Sequence, residues 1–358
     1  MEVLSDRALN RATLARQLLL ARSSLDPLSA IEHLVGLQAQ VPTNPHVALW
    51  ARLDGFDTDQ LDAHLVERRV VRSAALRGTI HLLTGPDCLA IWPLCQPVLE
   101  QELRNHRDFA PLLREVELDE PLAWARQYLQ EPRTQPQLKA ALAERFPDLD
   151  SAALAFASRN RLALVQVPPR GMWGRANQVT VATAESWLGA PMDHSLTAGE
   201  LVLRYLAAFG PARPADMATW SRLTGLAAAF DAVKSDLVVF RDERGRDLFD
   251  VPDAPRPDPE RHAPVRFLPE YDNVLLSHAD RTRFGDRDVR ALYPPGRLGR
   301  GHVLVDGMLR ATWIVDNGRV EVLHLDLARR DRDEVRHAAI EVSALLELER
   351  EPGLRGVD

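Results

Sequence analysis

The sequence predicts an α+β fold in which helices followed by a two-stranded ribbon occur three times, ahead of a mostly β region. Three observations support this: the helix-then-ribbon pattern recurs, a Pro-rich run ends the recurrence, and strong hairpin turns follow that run. At 358 residues the chain is long for one core, which favours several sub-domains. The predicted parts are a first unit, a helical connector with a second unit, a third unit, and a β-rich region with a terminal helix, at 1–90, 91–190, 191–255 and 256–358.

The first unit contains helices and then a ribbon. Asp26 and Pro27 are typical of a helix start, and that helix is predicted to end before Pro42, because the residue before a proline avoids the α region. Another helix is predicted over 57–68, and the stretch 70–84 indicates two strands around a turn at Arg77-Gly78. Helices followed by a ribbon are the order of a winged helix.

The same order returns twice along the chain. The predicted helices of these units cover 134–146, 151–160, 200–209 and 215–222, with a last one ending near Lys234. The predicted strands cover 162–167, 178–182, 237–241 and 247–251. Sequence identity between the units is too low to call them repeats, but three such units support the fold better than any one of them.

A mostly β region is predicted after the Pro-rich linker VPDAPRPDPERHAPV at 251–265. Asp306-Gly307 and Asn317-Gly318 are typical of tight hairpin turns. The predicted strands cover 266–268, 274–277, 302–305, 311–315 and 320–325. An amphipathic helix is predicted over 331–348.

Composition limits the function classes. The formal charge of −7 argues mildly against nucleic acid, so DNA binding must rest on local charge. Of 44 basic residues only Lys139 and Lys234 are lysines, and the guanidinium of Arg grips phosphate bidentately. Cys88 and Cys95 are expected on one helix face as core residues, too far apart to form a disulfide. The N-terminus lacks a signal-peptide core and no stretch of 18 apolar residues occurs, so we expect a cytoplasmic protein without a membrane span.

Several chemistries are excluded by missing motifs. The sequence contains no Walker A loop, no G-x-S-x-G elbow, no paired Cys and no H-E-x-x-H set. The 11 His are scattered, and we expect no metal and no cofactor.

Two Arg-rich windows coincide with predicted ribbons. Residues 68–84 and residues 159–178 each contain four Arg and no acidic residue, a net charge of +4 per window. Basic ribbons on an acidic protein indicate a polarised surface suited to phosphate. The alternative is that an Arg-rich chain produces such windows by chance.

The tripeptide Gln38-Ala39-Gln40 closes the first apolar helix and precedes Pro42 and Pro45. On an intact helix the two Gln side chains would diverge, whereas at an unwinding helix end they can face one side. Two neutral amides in one concave site could hold a water and a sugar. The alternative is two solvated Gln side chains at a helix terminus.

Four runs in the sequence resemble the AlkZ/YcaQ family of winged-helix DNA glycosylases: IEHLVGLQAQVPTNPHVALWARL, LRGTIHLLTGPD, YLAAFGPARPADMATWSRL and FLPEYDNVLLSHADRTR. The resemblance covers nearly the whole chain in the same order. It implies three tandem winged helices followed by a C-terminal β-barrel-like region, in a C-shape around DNA. The Gln-x-Gln motif resembles that of the AlkZ branch, which implies that Gln38 and Gln40 are the catalytic residues.

The resemblance also implies the substrate, namely double-stranded DNA carrying N7-alkylguanine, including bulky adducts and interstrand crosslinks, in repair or antibiotic self-resistance. Alkylation at N7 makes guanine a cationic leaving group, so a water held by neutral Gln side chains suffices and a strong general acid is not needed. The candidates for DNA contact are Arg72, Arg77, His81, Arg170, Arg175, Arg281 and Arg283.

Two alternatives remain: a non-enzymatic winged-helix regulator, which would need a ligand or dimer domain, and a DNA-binding scaffold with a dead site, which the intact Gln pair disfavours. We expect a monomer. We also expect a monofunctional enzyme that uses water. Lys139 lies far from the Gln pair in sequence, and Lys234 at a helix end keeps its charge, so neither is a good Schiff-base nucleophile.

Overall fold

Helices and short strands alternate along the computed structural model, which describes residues 1–285, 288–293 and 299–357. The helices are α1 (Asp6–Arg16), α2 (Pro27–His33), α3 (Asn44–Trp50), α4 (Thr58–Val66), α5 (Gly85–Asn105), α6 (Ala110–Leu113), α7 (Asp119–Tyr128), α8 (Gln135–Arg145), α9 (Ser151–Arg161), α10 (Ala184–Leu188), α11 (Ala198–Phe209), α12 (Pro214–Ser221), α13 (Leu226–Ala232) and α14 (Arg329–Leu345). The strands are β1 (Val3–Leu4), β2 (Leu37–Gln38), β3 (Val70–Ala74), β4 (Ile80–Thr84), β5 (Arg133–Thr134), β6 (Leu164–Gln166), β7 (Thr180–Thr183), β8 (Val238–Asp242), β9 (Asp247–Asp250), β10 (Arg266–Leu268), β11 (Gly301–Val305), β12 (Met308–Asp316), β13 (Arg319–His324) and β14 (Gly353–Gly356).

Side-chain caps begin several helices where the sequence predicted them. Asp26 accepts hydrogen bonds from the backbone N–H groups of Leu28 and Ser29 at the start of α2. Thr134 forms a reciprocal capping box at the start of α8, and Asp150 caps α9. Such caps satisfy backbone donors that the first helical turn leaves unpaired, which makes these starts readable from local sequence.

Helix α2 ends at His33, before Pro42 as predicted, but the expectation that Gln38-Ala39-Gln40 closes this helix is wrong. Val35 and Gly36 adopt positive φ angles of 55° and 87° and turn the chain. At Gly36 a Cβ would lie 2.9 Å from the carbonyl oxygen of Leu82, so only glycine allows this close approach to β4. Gln38 consequently lies in strand β2 rather than at a helix end. The cause is the long-range pairing of β2 with β4, which helical spacing does not reveal.

The ribbons of the first two predicted units belong to one six-stranded sheet, with the strand order β2-β4-β3-β6-β7-β5. They join through the antiparallel β3–β6 pair, in which Arg72 lies opposite Gln166. Neither ribbon is therefore a free-standing wing. Helix α5 packs against this sheet and buries Cys88 and Cys95 completely and without a disulfide, as predicted, and burial raises the pKa of both thiols to about 12.

A second sheet, in the order β1-β8-β9, joins the N-terminus to the third predicted unit. Strand β1 pairs parallel with β8, and β8 with β9 is the ribbon expected there. The carboxylate of Asp250 in β9 also forms a fully buried bidentate ion pair with Arg16 of α1, with distances of 2.6 and 2.8 Å. These contacts cross the proposed boundaries at 90 and 191, and the four-part division stays a prediction.

The C-terminal region forms an open five-stranded sheet in the order β10-β11-β12-β13-β14. Both hairpin turns are confirmed, since Asp306, Gly307, Asn317 and Gly318 all have positive φ angles, as such turns require. Helix α14 packs on this sheet through Val335, Ala339 and Val342.

Two expectations for the C-terminal region are wrong. In the described residues the edge strands β10 and β14 do not pair with each other, so the sheet is not a closed barrel. The segment predicted as a strand at 274–277 is instead a turn of 3-10 helix at Asn273–Leu275, because Asp272 caps it through the backbone N–H of Val274. Within the described ranges, no helix has the length and apolar character needed to cross a bilayer.

Candidate active site

The two glutamines of the Gln-x-Gln motif both receive hydrogen bonds from the β3–β4 hairpin. Gln38 is 8% exposed and lies opposite His81 in the register of β2 with β4. Its Oε1 accepts from the guanidinium of Arg77 at 2.5 Å. Gln40 follows the end of β2, is exposed, and its Oε1 accepts from the backbone N–H of Ile80 at 3.3 Å. Both side chains are therefore held by the same hairpin.

Arg77 is the centre of a hydrogen-bonded set that we call the Arg77 group, comprising Arg77, Gln38, His81, Asn273 and the carbonyl of Trp220. Arg77 has a φ of 58° in the turn between β3 and β4. It donates to Gln38 and to the Trp220 carbonyl near the end of α12, and it lies 3.4 Å from both His81 Nε2 and Asn273 Oδ1. The Arg77 group thus ties the Gln segment to the third unit and to the segment after β10.

His81 in this group is a neutral hydrogen-bond acceptor. Its Nδ1 donates to the carbonyl of Thr79 at 3.0 Å, so Nε2 carries the lone pair that faces Arg77. Complete burial, followed by the charge of Arg77, lowers the pKa of His81 to about 3. His81 is therefore uncharged near neutral pH and is not a proton donor there in the imidazolium form.

The orientation of both amides follows from their donors. A guanidinium and a backbone N–H can only donate, so the atom facing Arg77 or Ile80 is the carbonyl oxygen of each Gln. Burial lowers the pKa of Arg77 to about 10, which leaves it charged at physiological pH. Each Gln carbonyl retains a second lone pair, which can accept a proton of a water molecule.

Residues after β10, which were not among the candidates predicted from the sequence, support the Gln segment from the other side. Asn273 Nδ2 donates at 3.0 Å to the carbonyl of Gly36, which lies two residues before Gln38. Asp272 forms a bidentate ion pair with Arg52, both distances being 2.8 Å, and both side chains are buried. These residues lie in the run FLPEYDNVLLSHADRTR, which was the available signal.

A cavity of about 360 Å³ lies beside Gln40. Its lining includes Arg72 of β3, Arg170 of the β6–β7 loop and Lys139 of α8. Lys139 and Gln40 therefore line the same cavity although they are far apart in sequence, because strand pairing between the first two units brings α8 close to Gln40.

Several residues expected to contact DNA are internal. His81 is fully buried, Arg72 is 1% exposed and donates to the carbonyl of Ala39, and Arg283 is 5% exposed and donates to Thr13 and to the carbonyl of Pro211. Arg77 is half-buried within its group. Each of these residues donates N–H groups to oxygen atoms of the protein, and a phosphate at the protein surface would not reach those N–H groups.

The charge counted in the two Arg-rich windows is also partly neutralised. Carboxylates from elsewhere or from the window's edge pair with Arg69, Arg159 and Arg161, namely Glu67, Glu102 and Glu100. In contrast, Arg175 and Arg281 are exposed and Arg170 is half-buried. Within the described ranges, no group of three or more His, Cys, Asp or Glu side chains is placed to hold a metal ion.

Comparisons with known proteins agree with the resemblance in the sequence. The DNA glycosylase AlkZ-like family matches residues 31–345. Among solved structures, the DNA glycosylase AlkZ of Streptomyces sahachiroi superposes with a TM-score of 0.76 over 100% of both chains, at 21% sequence identity. No curated protein matches the chain. The structural likeness concerns the fold, and the family match spans most of the sequence. The chain therefore belongs to the AlkZ-like family of DNA glycosylases.

Proposed function

We propose that this glycosylase hydrolyses the N-glycosidic bond of N7-alkylguanine in double-stranded DNA, with bulky adducts or interstrand crosslinks as substrates, in DNA repair or antibiotic self-resistance. Gln38 and Gln40 position the attacking water. The enzyme works as a cytoplasmic monomer without a cofactor. The proposal rests mainly on the Gln38 amide, whose Oε1 accepts a hydrogen bond from Arg77 Nη2 at 2.5 Å. The members of the Arg77 group include no carboxylate.

The absence of a carboxylate among the members of the Arg77 group limits the chemistry. A neutral amide orients water but draws its proton away weakly, so the leaving group must already be activated. N7-alkylguanine is activated because its ring carries a positive charge that is lost when the base departs. The buried neutral His81 is likewise unsuited to protonate a normal base, since its pKa is lowered to about 3. This site therefore favours cationic lesions over unmodified guanine.

Water, rather than a lysine, is the proposed nucleophile. Lys139 lines the cavity beside Gln40 but is exposed on α8, where bulk water solvates its ammonium group. A Schiff-base nucleophile is typically a lysine desolvated in an apolar pocket, and Lys139 is not buried in one. The proposed product is a free modified base and an intact abasic strand.

The exposed residues Arg175 and Arg281 are the proposed surface contacts to phosphate. Their guanidinium groups suit phosphate oxygens and carry no base preference. DNA binding should weaken with rising salt, with a log–log slope of about −0.9 per phosphate contact.

The proposal is tested by base release from a duplex containing one N7-methylguanine and from crosslinked DNA. Replacing Gln38 or Gln40 by Ala should slow excision by about 10²- to 10³-fold, the loss typical of one positioned polar group. DNA affinity should change little, because neither glutamine is a proposed phosphate contact. Gln130→Ala, at an exposed position after α7, is the matched control and should excise at the wild-type rate.

Two outcomes would contradict the proposal. If the Gln38→Ala and Gln40→Ala variants both excise the base at the wild-type rate, the assignment of these glutamines as catalytic residues is wrong. Absence of base release together with strong preference for one DNA sequence would favour a regulator instead.

A further inference from the structure

The cavity beside Gln40 is strongly cationic. Arg72, Lys139, Arg159 and Arg170 all line it, and no carboxylate is among the described residues of its wall. Glu102, which lies outside the lining, approaches Arg159 at 4.0 Å. In the described part of the chain, neither Lys139 nor Arg170 forms an ion pair. The positive side chains of the cavity therefore outnumber the carboxylates that pair with them.

Arg72 is the most unusual of these cations. The residue is 1% exposed, and its Nη2 donates to the carbonyl of Ala39 at 2.8 Å. Its Nε and Nη1 are buried and have no hydrogen-bond partner among the described residues. Burial, and then the charge of Arg170, lowers its pKa to about 10, which still leaves it charged. A buried charge without a counter-ion is costly to a fold, so its presence indicates a ligand of opposite charge.

The surroundings of Arg72 also suit an anion. Arg170 lies on the loop that covers Arg72, and its own Nε is buried without a hydrogen-bond partner in the part of the chain that the structure describes. Gly171 packs so closely that a Cβ there would lie 2.6 Å from Arg72 Cδ. Helix α8 begins at this wall with Gln135, and Lys139 lies one turn later on the same face. The partial positive charge of a helix N-terminus favours a negatively charged group nearby.

We propose that this cavity binds a backbone phosphate of the lesion-bearing DNA strand, with Arg170 and Lys139 as direct contacts and Arg72 as the buried charge behind them. The inference rests on the proposed function. A flipped N7-alkylguanine is an unsuitable occupant, because the base is itself cationic and the cavity would repel it. Gln40 lies on the same wall, so a phosphate held here would fix the nucleotide that is attacked by the water positioned by the Gln pair.

The test is a scan of neutral linkages. A single methylphosphonate replaces one phosphate at a time on either side of an N7-methylguanine, and binding is measured by fluorescence anisotropy. We expect one position at which wild-type affinity falls about tenfold, the size of a charge-assisted hydrogen bond. Lys139→Ala and Arg170→Ala should each weaken binding to normal DNA by a similar factor and should bind the sensitive methylphosphonate duplex with no further loss.

Arg145→Ala is the matched control, because Arg145 also lies on α8 but pairs with Glu120 at 2.9 Å and does not line the cavity. It should retain the full methylphosphonate effect. For Arg72 the variant is Arg72→Met, which removes the charged guanidinium but keeps an unbranched apolar stem as far as the Nε position. Its melting temperature should equal or exceed that of the wild type, while its DNA affinity falls about tenfold.

The outcomes separate the subsite from the proposed function. Equal sensitivity to methylphosphonates in wild type, Lys139→Ala and Arg170→Ala would overturn the subsite, even if base release is normal. A single methylphosphonate position that weakens binding by the wild type but not by either variant would support the subsite. This holds even if no base is released, and then only the proposed reaction is wrong. Loss of melting temperature in Arg72→Met together with unchanged DNA affinity would show that Arg72 is structural and would overturn its role here.

Discussion

Arg77→Met isolates the role of the Arg77 group, because methionine keeps an unbranched apolar stem as far as the Nε position but lacks the guanidinium and donates no hydrogen bond. In the structure Arg77 donates to Gln38 Oε1 at 2.5 Å and to the Trp220 carbonyl at the C-terminal end of α12. A cation near the end of a helix also interacts favourably with its dipole. The variant leaves both acceptors without their donor.

The expected loss of stability follows from these two bonds. Each buried acceptor left unpaired costs about 1–3 kcal/mol, so the free energy of unfolding should fall by about 2–6 kcal/mol. Since domains are commonly stable by about 5–15 kcal/mol, a loss near the lower end of this range leaves the variant folded at 25 °C. Release of Gln38 should also slow base excision by about 10-fold or more, because a catalytic amide that moves loses its alignment.

Urea denaturation and single-turnover base release measure the two effects separately. Arg222→Met is the matched control, since Arg222 is exposed and its side chain donates to the Arg77 carbonyl at a long distance of 3.4 Å. It should change stability by less than about 0.5 kcal/mol. If Arg77→Met excises at the wild-type rate in its folded form, Gln38 does not depend on Arg77. If it instead reduces the salt slope of DNA binding by about 1, Arg77 is a phosphate contact after all.

Three further predictions concern buried charge and mechanism. Because the folded-state pKa of His81 is lowered to about 3, its contribution to stability is complete above about pH 6.5 and declines by up to about 1.4 kcal/mol per unit as pH falls towards 3. His81→Gln should show a shallower decline in urea titrations across that range, and an identical decline would refute this role. Asp272→Asn should destabilise the protein by about 3–5 kcal/mol, since it leaves buried Arg52 without a counter-charge, and Arg52→Met in the same chain should restore much of the loss. Borohydride added during turnover should trap no covalent protein–DNA adduct, and an adduct that disappears in Lys139→Ala would establish a lysine nucleophile.

Much of the fold is readable from local sequence because its signals act within a few residues. The caps at Asp26, Thr134 and Asp150 begin helices where expected, and Asn317-Gly318 forms a hairpin turn with positive φ angles. The hydrophobic spacing of Cys88 and Cys95 also places both on a buried helix face. These features need no knowledge of distant residues.

The candidate site was only partly predictable. Gln38 and Gln40 were singled out from the sequence through the family motif, and the run containing Asn273 was recognised without assigning that residue a role. Arg77 was expected to contact phosphate, whereas in the structure it donates to Gln38 Oε1 and to the Trp220 carbonyl. A sequence window gives the net charge of its own residues but omits the carboxylates that other elements bring.

The family, the helix starts and the hairpin turns are readable from the sequence, and the family motif singles out Gln38 and Gln40 as candidate catalytic residues. Three features become evident in the folded chain alone: Gln38 lies in a strand, Arg72 is a buried cation, and Lys139 shares a cavity with Gln40. The physical reason is that each of these depends on pairing between strands far apart in sequence, β2 with β4 and β3 with β6. Such pairing depends on the free energy of the whole fold, which cannot be read from a local stretch of sequence.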